Sequence, residues 1–213
     1  IPIEVAQRFK EYYEVVFQGV QATPSQKIID KFFGTILLIL SSPFMLIISL
    51  AILIEDGKPI IYKQKRMGKD EKIFIMNKFR SLKEAEINPD DPNVDIEKRV
   101  LKSGKIIRKL RLDELPQFWN IIKGNMSIVG PRPEMLEFHN IMSSHIPFYN
   151  YRLKLNPGIT GWAQIHFKHT STLEDYTKKT EYDLYYVKNR SLILDIQIML
   201  KTLETMLGMR GAR

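Results

Sequence analysis

A chain of 213 residues with 44% hydrophobic residues is long enough for one cored domain, or for one domain and an appendage. Its formal net charge is +8, from 32 basic and 24 acidic residues, which favours nucleic acid, an acidic membrane surface or a phosphorylated substrate as partner. The absence of cysteine excludes disulfides, thiolate metal sites and thiol nucleophiles. The chain begins at Ile1 rather than at methionine, as expected of a piece of a longer protein.

Residues 1–26 are predicted to form an N-terminal extension or linker, because they end in the breaker sequence Thr23-Pro24-Ser25. The segment that follows, residues 32–54, contains no charged residue in 23 positions. An apolar stretch of about 18 residues or more is typical of insertion into a membrane. A helix in the core of a soluble protein normally keeps a polar face. The sequence therefore predicts a membrane helix over residues 27–56.

Ser41, Ser42 and Pro43 interrupt this segment near its middle. Proline lacks an N–H and clashes with the carbonyl four residues earlier, here that of Ile39, at a cost of roughly 3 kcal/mol inside a helix. Serine hydroxyls can satisfy the carbonyls that proline leaves without a donor in lipid. We therefore expect the helix to bend or break at Ser42-Pro43.

Two membrane topologies are compatible with this segment. A kinked helix about 34 Å long would cross the bilayer, whereas a re-entrant helix broken at Ser42-Pro43 would enter one leaflet with two arms of about 16 Å each. Basic residues flank both ends, with Lys27 and Lys31 before the segment and Lys58 after it. This symmetry favours the re-entrant form, with both ends in the cytoplasm.

Residues 57–213 are predicted to form a small cytoplasmic domain, and the predicted fold class is α+β, mostly helical. Residues 61–79 are strand-rich, with a turn at Gly68-Lys69-Asp70, and the stretch IFIMNKF alternates like a half-buried strand. Residues 86–95 are predicted to form a polar loop. A helix broken near Gly104 is expected over residues 96–110.

Two adjacent acids, Asp113 and Glu114, follow the cations of the sequence RKLRLDELP (108–116). Asp113 is a good N-cap for a helix with Pro116 in its first turn and Gly124 at its end. A carboxylate at a helix N-terminus stays ionised, because the free N–H groups and the helix dipole favour anions.

Such a carboxylate has two chemical uses. It can attack phosphorus as a nucleophile, or it can hold Mg²⁺ against a substrate phosphate. Nearby arginines would screen the repulsion between the two anions. The competing interpretation is that Asp113 only caps a helix and Glu114 is ordinary first-turn charge.

Two later segments favour a reactive site. SIVGPRP (127–133) ends a strand-like run in Pro131-Arg132-Pro133, which directs a guanidinium suited to bidentate phosphate binding; the alternative is a turn with an exposed arginine. NPGITGWAQ (156–164) is a Gly/Pro turn that leads to Trp162 and suits the wall of a ligand pocket.

The last predicted element is a helix over residues 192–207, with apolar residues at helical spacing. Core packing is favoured for its apolar stripe over contact with a membrane surface or with a second subunit. That stripe comprises Ile196, Met199, Leu200, Leu203 and Met206.

Six motifs occur in this order: QKRMG (64–68), KFRS (78–81), LDELPQ (112–117), GPRP (130–133), PGITGWAQ (157–164) and YDLYYVKNRSLILD (182–195). On these motifs the chain resembles the bacterial sugar transferase family, the monotopic phosphoglycosyl transferases, over roughly residues 27–207. The resemblance implies a re-entrant membrane helix broken at Ser42-Pro43. It also implies a location on the cytoplasmic face of the bacterial inner membrane.

The activity implied by the resemblance is transfer of a sugar 1-phosphate from a UDP-sugar to undecaprenyl phosphate, the first membrane step of glycoconjugate assembly. Asp113 would attack the sugar-proximal phosphate, expel UMP and carry the phosphosugar until the lipid phosphate displaces it, which gives ping-pong kinetics. Glu114 would support this chemistry as a base or by fixing the cofactor Mg²⁺, for which Asp113 is the implied ligand.

The resemblance also implies a set of substrate contacts, which are Lys78, Arg80, Arg108, Gln117, Pro131, Arg132, Pro133 and Trp162. Family members often carry a cation immediately before Pro-Gly-Ile-Thr-Gly. This chain has Asn156 there, with Lys154 two places earlier as the nearest candidate. After Gln164 the family's short Gly-Arg stretch is replaced by IHFKHT (165–170), a difference that bears on sugar choice.

The implied partners are a UDP-sugar, undecaprenyl phosphate and membrane lipids, and a homodimer through the terminal helices is left open. A catalytically silent membrane module that binds nucleotide sugars or partner enzymes is the main rival hypothesis. Nucleic-acid binding is disfavoured, because the basic residues are dispersed and the membrane segment would have no explanation.

Overall fold

The computed structural model describes residues 2–8, 10–83, 99–167 and 172–206. Its helices are α1 (Ile3–Arg8), α2 (Lys10–Gln18), α3 (Pro24–Asp56), α4 (Lys102–Lys109), α5 (Gln117–Ile122), α6 (Leu136–His145), α7 (Trp162–His166), α8 (Leu173–Asn189) and α9 (Leu192–Met206). Its strands are β1 (Ile61–Met67), β2 (Ile73–Phe79), β3 (Ser127–Val129) and β4 (Gly158–Thr160). The predicted loop over residues 86–95 lies outside the described residues. The α+β, mostly helical fold class is confirmed.

Helix α3 begins earlier than predicted, at Pro24. Thr23 is its N-cap, and the Thr23 and Gln26 side chains satisfy each other's backbone N–H groups in a capping box. Proline is tolerated at the first helical position because its missing N–H would have no intrahelical partner. The sequence Thr23-Pro24-Ser25 is therefore the start of the helix rather than a break before it.

The helix continues through Pro43 to Asp56, so a break at Ser42-Pro43 is wrong, and a bend there stays a prediction. The predicted compensation by serine is confirmed, because the Ser42 hydroxyl donates to the Ile39 carbonyl at 2.7 Å. That carbonyl is the one that proline leaves without its N–H donor. Ser41 likewise donates to the carbonyl of Leu38 at 3.2 Å. In the described part of the chain, α3 is the one helix that is long and apolar enough to cross a membrane by length and composition.

One face of α3 lies against the rest of the protein at both of its ends. Near its start, the Asp30 carboxylate accepts from the Ile128 N–H at 3.0 Å. At its end, the Glu55 carboxylate accepts from the first N–H groups of α4, at 2.6 Å and 2.9 Å. Asp56 accepts from Arg80 at 2.7 Å. Between these contacts, Gly34 lies so close to α5 that an added Cβ would be 2.9 Å from the Ile121 side chain.

The opposite face of α3 is apolar and exposed. Each of its large side chains has between 39% and 84% of its surface accessible. These residues are Ile28, Phe32, Phe33, Ile39, Leu40, Phe44, Leu46, Ile47, Leu50, Leu53 and Ile54. Monomeric soluble proteins rarely expose a continuous apolar surface of this extent.

The predicted strand-rich segment is confirmed as an antiparallel hairpin, with Ile61 paired to Phe79 and Met67 to Ile73 around the predicted turn. The helix is interrupted slightly before the predicted break near Gly104: Val100 and Leu101 are not helical, and α4 begins at Lys102 and runs through Gly104. Gly104 is required there by a close approach: an added Cβ would lie 2.4 Å from the Ser81 carbonyl oxygen. The start of the predicted 96–110 helix lies mostly outside the described residues.

Strands β3 and β4 pair in parallel, with Ser127 opposite Gly158 and Val129 opposite Thr160. Their backbones converge just beyond the pairing, where a Cβ on Gly158 would lie 2.1 Å from the amide nitrogen of Gly130. The GPRP motif follows β3 and the GWAQ motif follows β4. The parallel register therefore brings these two motifs to the same edge of the protein.

Both ends of the chain contribute side chains to the core. Tyr13 and Phe17 of α2 are buried with Leu184 and Tyr186 of α8, and the extension or linker over residues 1–26 stays a prediction. In α9, Leu194 and Ile198 are the buried residues. The predicted core stripe is wrong for its three most exposed members, which are Ile196, Leu200 and Leu203.

Candidate active site

A polar cavity of about 410 Å³ collects seven charged side chains from distant parts of the sequence. Its lining residues are Lys78, Arg108, Lys109, Arg111, Asp113, Glu114 and Arg132. Five of the seven are cationic and two are acidic. The predicted residues Lys78, Arg108, Asp113, Glu114 and Arg132 are thus brought together.

Three elements meet at this cavity. Lys78 lies near the end of β2, and Arg132 follows β3. The acidic pair lies in a single 3₁₀ turn, Leu112–Glu114, which follows Arg111 in the left-handed conformation at φ 54°. The prediction that Asp113 is the N-cap of a helix is therefore wrong, because α5 begins only at Gln117, after Pro116. Gly124 follows the end of that helix as predicted, with φ 79°.

Glu114 is held between two cations. Its Oε1 atom lies 3.5 Å from Lys78 Nζ and 3.3 Å from Arg132 Nη2, and its side chain is 12% exposed. Burial disfavours the charged carboxylate, but Arg132 and Lys78 outweigh this effect and lower the pKa of Glu114. Glu114 is therefore a fixed anion that orients the two cations.

The pKa of Asp113 is shifted in the opposite direction. Burial and the neighbouring Glu114 charge raise its pKa, against the opposing effects of Lys78 and a backbone hydrogen bond. Among the described residues, no cation lies within ion-pair distance of its carboxylate. The adjacent acids are thus differentiated, and pairs with separated pKa values are typical of divided catalytic roles.

The backbone of Arg132 is held by a buried ion pair that the sequence analysis did not predict. Arg152, with a side chain 2% exposed, donates to the Arg132 carbonyl at 2.8 Å. The same guanidinium donates twice to Asp183 Oδ2, at 2.7 Å and 3.0 Å. Asp183 belongs to the YDLYYV stretch on α8, where an acid among apolar helical residues was the available signal of a buried partner.

Several predicted contacts lie outside this cavity. Arg80 is buried and donates to Asp56 and to the Gly57 carbonyl at the end of α3, and its substrate contact stays a prediction. Lys154 lines a separate cavity beside Asp70 and Glu71, and its substrate contact likewise stays a prediction.

Four other predicted contacts also lie outside the lining of this cavity. Trp162 stacks on Tyr185, with ring centroids 5.6 Å apart. Gln117 is 3% exposed in α5. Pro131 and Pro133 are buried on either side of Arg132 and contribute by fixing its backbone.

The two carboxylates limit how Mg²⁺ would be held. No group of three or more His, Asp or Glu side chains suited to a metal occurs in the described ranges. Mg²⁺ is commonly held by one or two carboxylates together with substrate phosphates and water. Asp113, which has no ion-pair partner among those residues, fits this arrangement, whereas Glu114 is already occupied by Lys78 and Arg132.

The sequence of the chain is similar to those of known sugar transferases. The profile of the bacterial sugar transferase family matches residues 21–209. The chain is 45% identical over 175 residues to a UDP-N-acetylgalactosamine-undecaprenyl-phosphate N-acetylgalactosaminephosphotransferase of Aeromonas hydrophila, covering 82% of this chain and 41% of that protein. It is 40% identical over 182 residues to the UDP-glucose:undecaprenyl-phosphate glucose-1-phosphate transferase of Escherichia coli (strain K12), covering 81% and 38%.

A shorter relative is matched over nearly its whole length. The chain is 35% identical over 190 residues to an uncharacterized sugar transferase of Bacillus subtilis (strain 168), covering 87% of this chain and 89% of that protein. The chain spans about two-fifths of the length of the two named transferases. The profile match and these identities show that the chain belongs to the bacterial sugar transferase family.

Proposed function

We propose that this protein transfers a sugar 1-phosphate from a UDP-sugar to undecaprenyl phosphate, giving undecaprenyl-diphosphate-sugar and UMP. The observation that carries the proposal is the environment of the Asp113 carboxylate. Its carboxylate lies without an ion pair, among the described residues, in a cavity with five cations. An anionic nucleophile can meet a diphosphate only where cations offset the repulsion between them. The substrates named for the two characterised relatives support the same chemistry.

The first step is attack of an Asp113 carboxylate oxygen on the sugar-bearing phosphorus. A bond forms between this oxygen and phosphorus, and the bond to the bridging oxygen breaks, so that UMP leaves with the electron pair. In the second step, a phosphate oxygen of undecaprenyl phosphate attacks the same phosphorus and releases the carboxylate. The two displacements give a ping-pong mechanism through a phosphosugar-aspartate.

Lys78 and Arg132 have the geometry to hold the phosphate oxygens during both steps. Glu114 orients both cations through contacts of 3.5 Å and 3.3 Å. Because its pKa is lowered, Glu114 is suited to this anionic positioning role rather than to proton abstraction. When bound, Mg²⁺ would neutralise charge on the diphosphate, held by Asp113 together with substrate oxygens.

The function test is a panel of UDP-sugars incubated with the detergent-solubilised protein and undecaprenyl phosphate. We expect stoichiometric release of UMP and formation of the lipid product from at least one donor. Burst release of UMP without acceptor, limited to one equivalent, is expected of the covalent intermediate. Binding of UDP-sugars without UMP release from any donor would support the silent binding module instead.

Helix α3 is proposed to be re-entrant, with both ends at the cytoplasmic face of the inner membrane. A membrane-crossing helix has its ends on opposite sides of a hydrocarbon core about 30 Å thick. Here Asp30 near one end and Glu55 and Asp56 at the other contact the same charged domain. The +8 net charge of the chain adds attraction to anionic lipids.

Single cysteines introduced into this cysteine-free chain test that topology. Lys27→Cys and Lys63→Cys lie on opposite sides of the apolar segment, at exposed positions. We expect a membrane-impermeant maleimide to label neither in spheroplasts and both in inverted membrane vesicles. Labelling of only one of the two in spheroplasts would show that α3 crosses the bilayer.

A further inference from the structure

A second cavity, of about 200 Å³, adjoins the candidate active site. It shares Arg111 and Glu114 with the first cavity and continues between β4, α7 and α9. Its apolar wall includes Leu115 and Phe118. The remaining wall carries uncharged polar groups, which the phosphate chemistry described above does not use.

One of these polar groups is incompletely bonded. Gln164 accepts a hydrogen bond from Arg132 Nη1 through its Oε1 atom, at 3.3 Å. Its Nε2 atom is buried and has no hydrogen-bond partner in the described structure. A buried amide donor without a partner is unfavourable and uncommon in folded proteins. An acceptor supplied by a ligand in this cavity would satisfy it.

The threonines on the opposite wall offer acceptors. Thr202 donates its hydroxyl proton to the Ile198 carbonyl at 2.7 Å, so the 2.6 Å contact between Thr160 and Thr202 must be donated by Thr160. Thr205 donates to the Lys201 carbonyl at 2.9 Å. Each hydroxyl therefore keeps acceptor lone pairs.

This combination is complementary to a sugar. Sugar hydroxyls both donate and accept hydrogen bonds, and a pyranose ring also presents C–H groups that pack on apolar side chains such as Phe118. A prenyl chain would fill the apolar part but would leave the Gln164 amide and the threonine oxygens without partners. The polar groups therefore favour the sugar over the lipid.

The position of the cavity agrees with the order of bond changes. In an in-line displacement at phosphorus, the attacking and leaving oxygens lie on one axis. The sugar oxygen is neither of these, so the sugar must lie to the side of that axis, and it stays on phosphorus through both steps. A cavity that shares Glu114 with the phosphate site meets this requirement.

We propose that the cavity binds the sugar of the UDP-sugar, and that Gln164 and Thr205 determine which sugar is accepted. This inference rests on the proposed function, because it assigns the part of the donor that Asp113 retains. Gln164 contributes an N–H donor and Thr205 an acceptor at the outer end of the cavity. Glu114 and Arg132 then act on the attached phosphate.

Two substitutions test the proposal in the full chain. Gln164→Glu keeps an oxygen for Arg132 and removes the amide donor, and Thr205→Val removes one hydroxyl at an exposed position. We expect kcat/KM for the preferred donor to fall about tenfold for each variant. We also expect the selectivity ratio to change among UDP-glucose, UDP-galactose and their N-acetylated forms. For Thr205→Val, inhibition by UMP and the KM for undecaprenyl phosphate should change by less than about twofold. Gln164→Glu also places a negative charge beside Arg132, so this variant is judged by its donor selectivity ratio alone.

Thr177→Val is the matched control. Thr177 is a half-buried helical threonine whose hydroxyl also donates to the carbonyl four residues earlier at 2.9 Å, but it lies on α8 away from the cavity. Its selectivity among the four donors should equal that of the unmodified protein. Melting temperatures of all three variants separate a folding defect from a binding defect.

Three outcomes would overturn the sugar assignment. Weaker UMP inhibition in Thr205→Val would make this a nucleotide cavity, and a raised acceptor KM in the same variant would make it a lipid cavity. Unchanged donor selectivity in both variants would remove any sugar contact. If the unmodified protein releases no UMP, the proposed function fails separately. Calorimetric binding of each UDP-sugar relative to UMP then measures whether the variants lose the contribution of the sugar.

Discussion

Asp113→Asn is expected to abolish turnover, with UMP release reduced about 10⁴-fold or more. An amide is too weak a nucleophile to form the bond to phosphorus, although its size and shape match those of the carboxylate. Structural damage is not expected, because Asp113 has no ion-pair partner in the described structure. UMP release from the preferred donor, measured with and without acceptor, checks the result.

Asp70→Asn is a matched control for this substitution. Asp70 also lies in a short 3₁₀ turn, and its exposed carboxylate is 3.8 Å from Lys69. Asparagine tolerates the positive φ of 51° at this position. Turnover by Asp70→Asn should match that of the unmodified protein, whereas more than about 1% residual turnover in Asp113→Asn would argue against a nucleophilic role.

Arg152→Met is expected to destabilise the fold by about 3–5 kcal/mol, because it leaves the buried Asp183 carboxylate without its cation. Both side chains of this pair are 2% exposed, and their closest atoms are 2.7 Å apart. The substitution also removes the donor to the Arg132 carbonyl. Chemical denaturation in detergent measures the change in unfolding free energy, and Lys178→Met, at an exposed pair on α8, should stay close to the unmodified protein.

The double variant Arg152→Met/Asp183→Leu separates stability from activity. Apolar replacement of a whole buried ion pair is often neutral or stabilising, so most of the lost stability should return. Turnover should remain low, because the Arg132 carbonyl still lacks its donor and the guanidinium loses its fixed direction. Full recovery of both quantities would mean that Arg152 does not position Arg132, and an Arg152→Met protein of normal stability would contradict the pairing itself.

Features set by local sequence were predictable. The hairpin over residues 61–79 follows from alternation and a glycine turn, and its turn lies at the predicted place. The Ser42 hydroxyl takes the role expected from the chemistry of Pro43. The convergence of the LDELPQ and GPRP motifs on one cavity was expected from the resemblance and from phosphate chemistry, since an acidic pair and a fixed arginine are useful only together.

Features set by long-range contacts were not predictable in the same way. Gly104 signals a helix break by propensity, but its position reflects the approach of the Ser81 backbone. Arg80 stands in a motif of basic residues, but the end of α3 captures its guanidinium. Asp113 has the sequence context of an N-cap, but the left-handed Arg111 places it inside a 3₁₀ turn instead.

The buried pair of Arg152 and Asp183 shows the same limit. The two residues are 31 positions apart, and neither lies in a sequence pattern from which its partner could be predicted. Their pairing depends on how α8 docks against the turn after α6. A charge on an otherwise apolar helical face indicates that some partner exists, but only the tertiary structure identifies it.

The most direct test of the central claim is the mass of one peptide. After incubation with the UDP-sugar alone, tryptic digestion should yield residues 112–123, between Arg111 and Lys123, with the added mass of the phosphosugar. Fragmentation should assign that mass to Asp113, and addition of undecaprenyl phosphate should remove it. An unmodified Asp113 in protein that turns over normally, or an adduct on Glu114 instead, would contradict the account.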